Sequence, residues 1–355
     1  MERSQDSNSL NMNYRRRTLV LILLLAALHL PILVPGFVAP YDYAQQNREL
    51  PFAPPNRLHF IDEGGTFHFR PFAYAWQQRA DGSGDSYEED RTHTYPLHLF
   101  VQGSPYSILG PWTVRLHLFG VQAPGQLFLV GTDDFGRDQF SRILYGGRIS
   151  LFAGLLGTSL ALFVGVLLGL ISGYYGKWMD AVIMRFAELF LALPWLYLLF
   201  AVRAVLPLRI KTTEAFLLLV GVVGFVGWAK PARLVRGIVL SAKERTFALA
   251  AKAMGASDAH ILRRHILPQT YGIILTTAAL LVPQFILAEV TLSFLGLGVG
   301  EPMPSLGNLL GELQKYRVLT SYWWMYAPAV VLIVLFLAYQ WASAMLQEKF
   351  AEVQM

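Results

Sequence analysis

Two carboxylates, Glu188 and Glu289, stand within runs of apolar residues. An ionisable group in such a place is costly in lipid and by default lines a solute or proton path or pairs with a neighbouring helix. A proton-coupled carrier would use them as relay groups, while a structural or interfacial carboxylate fits their positions equally well. Five histidines, His59, His68, His93, His98 and His117, crowd one polar stretch. Imidazole is the commonest transition-metal ligand. His68, His98 and His117, however, each sit in a strand-like alternation, with no close histidine or acidic partner at ligand spacing, so no metal site is expected. The chain contains no cysteine, which excludes disulfides, cysteine-ligated zinc and thiol catalysis. It also lacks a Gly-x-x-x-x-Gly-Lys-Ser/Thr phosphate loop, so it is not expected to hydrolyse ATP by itself. No catalytic set of nucleophile, acid/base pair or metal ligands emerges, and the chain reads as a non-enzyme.

The elements that must position these residues are apolar. Of 355 residues, 54% are hydrophobic and only 15% charged, and the mean hydropathy is +0.41, too apolar for one soluble core. The formal net charge of +5 lies mostly between and beside apolar runs, where positive-inside charges belong, and nucleic-acid binding is not expected. A bilayer core requires roughly 20 apolar residues per helical span, and six candidates appear: Leu19 to Val38, Ile149 to Gly173, about Phe186 to Val202, about Glu214 to Trp228, Tyr271 to about Leu297, and about Tyr326 to Gln347. The first follows Arg15, Arg16 and Arg17, which should hold a tail, residues 1–18, in the cytoplasm. It is longer than a usual signal-peptide core, and no Ala-x-Ala pattern closes it, so span 19–38 reads as an uncleaved anchor. Both termini then lie inside, with 348–355 as the second cytoplasmic tail.

This topology makes the connection after the fourth span cytoplasmic, and Lys230, Arg233, Arg236, Lys243, Arg245, Lys252, Arg263 and Arg264 are set there against only Glu244 and Asp258. Arg203, Arg209 and Lys211 in an outer turn, and Arg137, Arg142 and Arg148 beside the outer end of span two, run against the rule. Residues 39–148 hold nine Arg, no Lys and twelve acidic residues, an aqueous composition. The alternations Thr66–Arg70, Pro96–Val101, Val114–Phe119 and Leu127–Val130 read as half-buried strands, giving a small β-rich extracytoplasmic insert with a solvated tip at Ala80 to Asp90. The remainder, 149–347, forms the core with five further spans and an inner loop at 230–268. The fold class is an all-α polytopic membrane protein with six transmembrane helices.

Within the inner loop, Arg245 to Thr270 is patterned as two short helices. Phe247, Ala250, Ala251 and Met254 share a face at helical spacing, Gly255 permits a sharp turn, and a second helix begins after Ser257 and ends near Pro268. Its small residues suit it to entering a groove on another protein; a packed re-entrant turn is the alternative.

The string Ala250-Ala251-x-x-x-Gly255, followed after nine residues by His265-Ile266-Leu267-Pro268, resembles the EAA loop of bacterial binding-protein-dependent ABC importers. Leu249 stands at the acidic position of that loop and His265 at its isoleucine. Both departures, with Ala256 and Ser257, resemble the peptide/nickel branch, which tends to read A-A-R-A-L-G-A-S and R-H-I-L-P. The segments Gly131 to Ser150, Gly173-Tyr174-Tyr175-Gly176 with Asp180, and Ser293 to Gly298 are similar to the second membrane subunit of dipeptide permeases. The resemblance covers about residues 130 to 325. Outside it, the insert from Arg57 to Gln126 is longer than usual and the tail lacks the usual basic ending. The resemblance implies a type I ABC importer permease fold and a peptide as solute. It also implies a loop that docks into an ATPase subunit, with ATP and magnesium on that partner, a second permease subunit, and an extracytoplasmic solute-binding protein. A membrane-anchored scaffold acting through its outer insert is a third reading beside the importer and the proton-coupled carrier.

Overall fold

A backbone surrounded by lipid must satisfy its own hydrogen bonds, which a helix does within one segment. The chain is accordingly mostly helical. The computed structural model describes residues 2–79, 86–107, 112–205 and 212–354. Most of the tip at Ala80 to Asp90, and the outer turn with Arg209 and Lys211, lie outside the described residues.

Thirteen α-helices follow in order among these residues: α1 (Glu2–Leu33), α2 (Pro35–Val38), α3 (Gln139–Tyr175), α4 (Lys177–Ala192), α5 (Trp195–Val205), α6 (Thr212–Val226), α7 (Ala229–Ala242), α8 (Thr246–Ala253), α9 (Asp258–Ile261), α10 (Tyr271–Phe294), α11 (Leu306–Gly311), α12 (Tyr316–Ser321) and α13 (Ala327–Gln354). Five stretches of described residues are long and apolar enough to cross a membrane: Arg16–Leu33, Gln139–Tyr175, Phe216–Ala242, Asp258–Phe294 and Trp323–Phe350. The third expected span, Phe186 to Val202, is instead a pair of helices bent by 84° between α4 and α5. The cause is Pro194, which drives the preceding Leu193 out of helical geometry to φ −71 and ψ 126.

Two segments read only as a tail and a loop are helical. Residues 2–18 contain no glycine or proline and form the start of α1. Residues 229–242 of the basic inner loop form α7, a packed helix, because Ala232, Val235, Val239 and Ala242 recur on one face and are buried.

The chain divides into two compact units, one of Met1–Leu25, Leu151–Leu292 and Val334–Met355, the other of Ala26–Ser150 and Ser293–Ile333. In the first, α3 and α7 approach closely. A Cβ on Gly169 would lie 2.7 Å from the carbonyl oxygen of Ala232, so only glycine lets the backbones meet there.

The second unit contains the strands β1 (His59–Ile61), β2 (Phe67–Gln78) and β3 (Tyr87–Pro96), an antiparallel sheet in that order, and a separate antiparallel pair, β4 (His98–Ser107) with β5 (Thr113–Gly120). Leu127–Val130 joins neither sheet. The N–H groups of its first two residues go to side chains, Leu127 donating to the Tyr41 hydroxyl at 2.8 Å and Phe128 to Asn56 Oδ1 at 2.7 Å, and both residues are fully buried. His59 and His68 do have acidic partners, Glu89 at 3.0 Å and Asp62 at 2.8 Å.

Arg137 and Arg142, read above as loop charges, are buried in this unit. Arg137 Nε donates to Asp133 at 2.6 Å and its Nη1 to Glu301 at 2.7 Å, while Arg142 Nη2 donates to the other oxygen of Glu301 at 2.8 Å. Beside them, Lys315 bonds Asp134 at 3.1 Å and Glu312 at 2.5 Å. Charges removed from water are tolerated only with such partners. These residues therefore join the start of α3 and the segment before it to the segment after α10.

Candidate functional site

The segment from Arg245 to Thr270 lies within the first unit. Arg245 is extended, with ψ 152, and α8 starts at Thr246. Ala248 and Ala251 turn inward and join Val235, Val239, Ala242, Ile261 and Ile266 in one apolar cluster, with Phe247, Ala256 and Leu262 packed on its edge. The helix's other side faces out: Leu249 is 55% and Met254 82% exposed, and Ala250 lies on the same outer surface. Phe247, Ala250, Ala251 and Met254 are therefore divided between two sides of α8, Ala251 turning inward with Ala248 and Ala250 and Met254 facing out, with Phe247 at the edge of the cluster.

Gly255 has φ +82, a conformation that costs a residue with a Cβ. It ends α8 with two bonds, Gly255 N–H to Lys252 O at 3.0 Å and Ala256 N–H to Ala251 O at 3.1 Å, the Schellman pattern that satisfies a helix's last carbonyls. An added Cβ would meet nothing within 4 Å, so the turn is open on its outer side. Ser257 then caps α9, its hydroxyl accepting from His260 N–H at 3.4 Å.

The second helix does not stop near Pro268. A five-residue π-turn, Leu262–Ile266, and a 3-10 turn, Leu267–Thr270, carry the chain into α10. Proline lacks an N–H and crowds the carbonyl four residues earlier, and these altered turns accommodate it without ending the helix. His265 stacks on Phe247 with ring centroids 6.3 Å apart and lies 5.7 Å from the His260 ring. Leu267 is half-buried and Pro268 exposed. The result is a firm, small-residue knob with a leucine and a methionine on its outer surface and exposed Lys252, Arg263 and Arg264 on its flanks. Such a surface can bind a partner by close apolar contact, with flanking cations to orient it.

Polar contacts support the knob from behind. Asp180, in the first turn of α4, accepts two bonds from Arg236 of α7, Nε at 2.5 Å and Nη2 at 2.6 Å, and a third from Ser172 of α3 at 2.5 Å. Lys243 donates to Gly173 O at 2.9 Å and Tyr174 to Asp258 at 2.7 Å. In the sequence, Gly173, Tyr174 and Asp180 belong to the resemblance and Arg236, Lys243 and Asp258 to the loop charges, and nothing pairs them, because the partners lie up to 84 residues apart. The one visible signal was an acid four residues beyond the helix-breaking Gly176.

The two carboxylates with which the sequence analysis began have different surroundings. Glu188 is half-exposed and pairs with Arg185, three residues earlier on α4, at 3.1 Å, whereas Glu289 on α10 is only 8% exposed.

The chain belongs to the family of binding-protein-dependent transport system inner membrane components, whose pattern matches residues 165–352. It is 38% identical over 217 residues to the dipeptide transport system permease protein DppC of Alkalihalophilus pseudofirmus, covering 61% of this chain and 69% of that protein. It is 35% identical to DppC of Bacillus subtilis, over 66% of this chain and 72% of that one. The glutathione transport system permease protein GsiD of Pectobacterium atrosepticum is 37% identical over 57% of this chain and 65% of its own length. The chain is thus a multi-pass inner-membrane permease subunit of the ABC importer class, and its relatives are of the peptide type.

Proposed function

We propose that this chain is one of two permease subunits of an ATP-driven importer that moves di- or oligopeptides across the cytoplasmic membrane by alternating access. The observation that carries this reading is the outward-facing surface of Leu249, Ala250, Met254 and Gly255 on a knob whose other side is locked into the helix bundle. Phe247, Ala251, Ala256, Ser257, His265, Leu267 and Pro268 hold that surface in shape, and an ATPase subunit provides the groove. ATP and magnesium belong to the ATPase. Closure of two ATPases on ATP then moves the docked knob, and the knob moves the helices.

In this reading the bent pair α4–α5 counts as one span, giving six in a type I arrangement with both termini cytoplasmic. The β-rich segment lies on the outer side, where it contacts a solute-binding protein or the sister permease. The dipeptide and glutathione systems named among the relatives support a peptide as solute.

The test is purification of the tagged chain from its native membranes in mild detergent, comparing wild type, Gly255→Asp and Met254→Glu. Met254 is 82% exposed, so its substitution leaves folding alone. Recovery of an ATPase and a second permease with wild type, and loss of the ATPase with either variant, is the expected result. A lone wild-type chain that transports under a proton gradient would overturn the reading.

A further inference from the structure

The last turn of α3 spends three successive residues on three different parts of the molecule. Ser172 donates to Asp180 of α4, the carbonyl of Gly173 accepts from Lys243 just beyond α7, and the Tyr174 hydroxyl donates to Asp258 of α9. A helix end leaves its last carbonyls without intrahelical partners, and a lysine ammonium is a suitable donor for one of them. Asp180 is the centre of the set, because its two oxygens receive both prongs of the Arg236 guanidinium as well as Ser172.

The side chains of Asp180 and Arg236 retain 20% and 32% exposure. A partly solvated ion pair adds little net stability, so stability alone is a weak account of a carboxylate with three donors from two other helices. A two-pronged guanidinium–carboxylate pair does fix orientation as well as distance. The apolar contacts between α7 and α3, such as Val239 against Gly173, set how near the helices lie, and the two-pronged pair adds a fixed orientation between α7 and α4.

We infer that Asp180 and Arg236 are positioning residues that make the ends of α3, α4 and α7 move as one body with the Arg245–Thr270 knob. The pair thereby carries the displacement of the knob into the transmembrane helices. This inference rests on the proposed docking role of the knob. Neither residue touches the outer surface formed by Leu249, Ala250 and Met254. A change in the pair should therefore spare ATPase binding and affect what that binding accomplishes.

The experiment uses the complete transporter, with ATPase subunits, sister permease and binding protein, reconstituted in liposomes and supplied with a dipeptide. Wild type is compared with Asp180→Asn, with Arg236→Lys, which keeps the charge but loses the two-pronged grip, and with the exchange Asp180→Arg/Arg236→Asp. The expected result for both single variants is wild-type ATPase content and basal hydrolysis, with dipeptide moved per ATP reduced about tenfold. The exchange should recover most of that ratio. An unchanged ratio in the single variants, or an exchange that recovers nothing, would overturn the inference. Loss of the ATPase from the single variants would also overturn it, by showing that the pair shapes the docking surface itself. Absence of an ATPase from the wild-type complex would instead defeat the docking reading on which the inference rests.

Discussion

Arg142 and Glu301 are 159 residues apart in the chain and meet at 2.8 Å. The arginine is 2% exposed at its side chain and the glutamate 50%, so a buried cation is neutralised by an anion that reaches in from the surface. Glu301 bridges Arg137 with its second oxygen, and its removal leaves two buried guanidiniums short of a partner.

Glu301→Gln should therefore destabilise the second unit by about 1–2 kcal/mol, a figure already reduced for the half-exposure of the carboxylate. Burial pushes the Glu301 carboxyl up, but Arg142 and Arg137 outweigh that and hold it below its ordinary value of 4.5. A carboxylate with a lowered folded value stabilises the protein above its unfolded value, and that contribution disappears as pH falls through the folded one. The difference in thermal midpoint between wild type and Glu301→Gln in detergent should consequently shrink as pH falls below that ordinary value of 4.5. A difference independent of pH would contradict the ion-pair assignment.

Asp138 behaves oppositely. Burial pushes its carboxyl up to about 7 from 3.8, against the hydrogen bonds it accepts from Ser141. The folded state then keeps a proton that the unfolded state releases, so this group's contribution is greatest at low pH and is lost as pH rises from about 4 to about 7. Asp138→Asn cannot ionise and should abolish that part of the pH dependence. Parallel melting curves for the two proteins between pH 5 and 7.5 would count against it.

At Gly255 the backbone and the outer surface can be tested separately. Gly255→Ala should cost about 1 kcal/mol through its positive φ alone and should leave ATPase recovery nearly intact, since a methyl group enters open space. Gly255→Asn, which tolerates the left-handed conformation better, should cost less. Equal losses of stability for the two would rule out backbone strain as the cause.

Gly169→Val puts a Cβ 2.7 Å from a backbone oxygen rather than from a side chain that could move aside. The overpacking should destabilise the α3–α7 contact by about 1–3 kcal/mol or prevent folding, seen as a loss of monodisperse protein on gel filtration. Normal yield and melting would mean that α3 and α7 do not approach as described.

How legible these features were in the sequence varied with their range. Gly255 and Ser257 were readable because a helix stop and a helix start depend on neighbours only a few residues away. The register of α8 was not, because Phe247, Ala250, Ala251 and Met254 are all apolar and only the cluster with Val235 and Ile261 selects Ala248 and Ala251 as the buried stripe. Residues 229–242 looked like a basic loop because Lys230, Arg233 and Arg236 were counted for sign. Their three-residue spacing opposite Ala232, Val235 and Val239 is that of an amphipathic helix.

Composition and the lengths of the charge-free runs were by themselves enough to determine that this is a helical membrane protein, because the cost of unpaired backbone groups in lipid leaves a charge-free run of twenty residues few alternatives. The string from Ala250 to Pro268 carried the resemblance to the family, because a motif of that kind is read directly along the chain. Only the tertiary structure decided that Arg137 and Arg142 are buried partners of Glu301, that α4 and α5 meet at 84° beside Pro194, and that Asp180 joins three helices. Those pairings depend on where distant segments meet, and distances across a fold are set by packing rather than by any spacing along the chain.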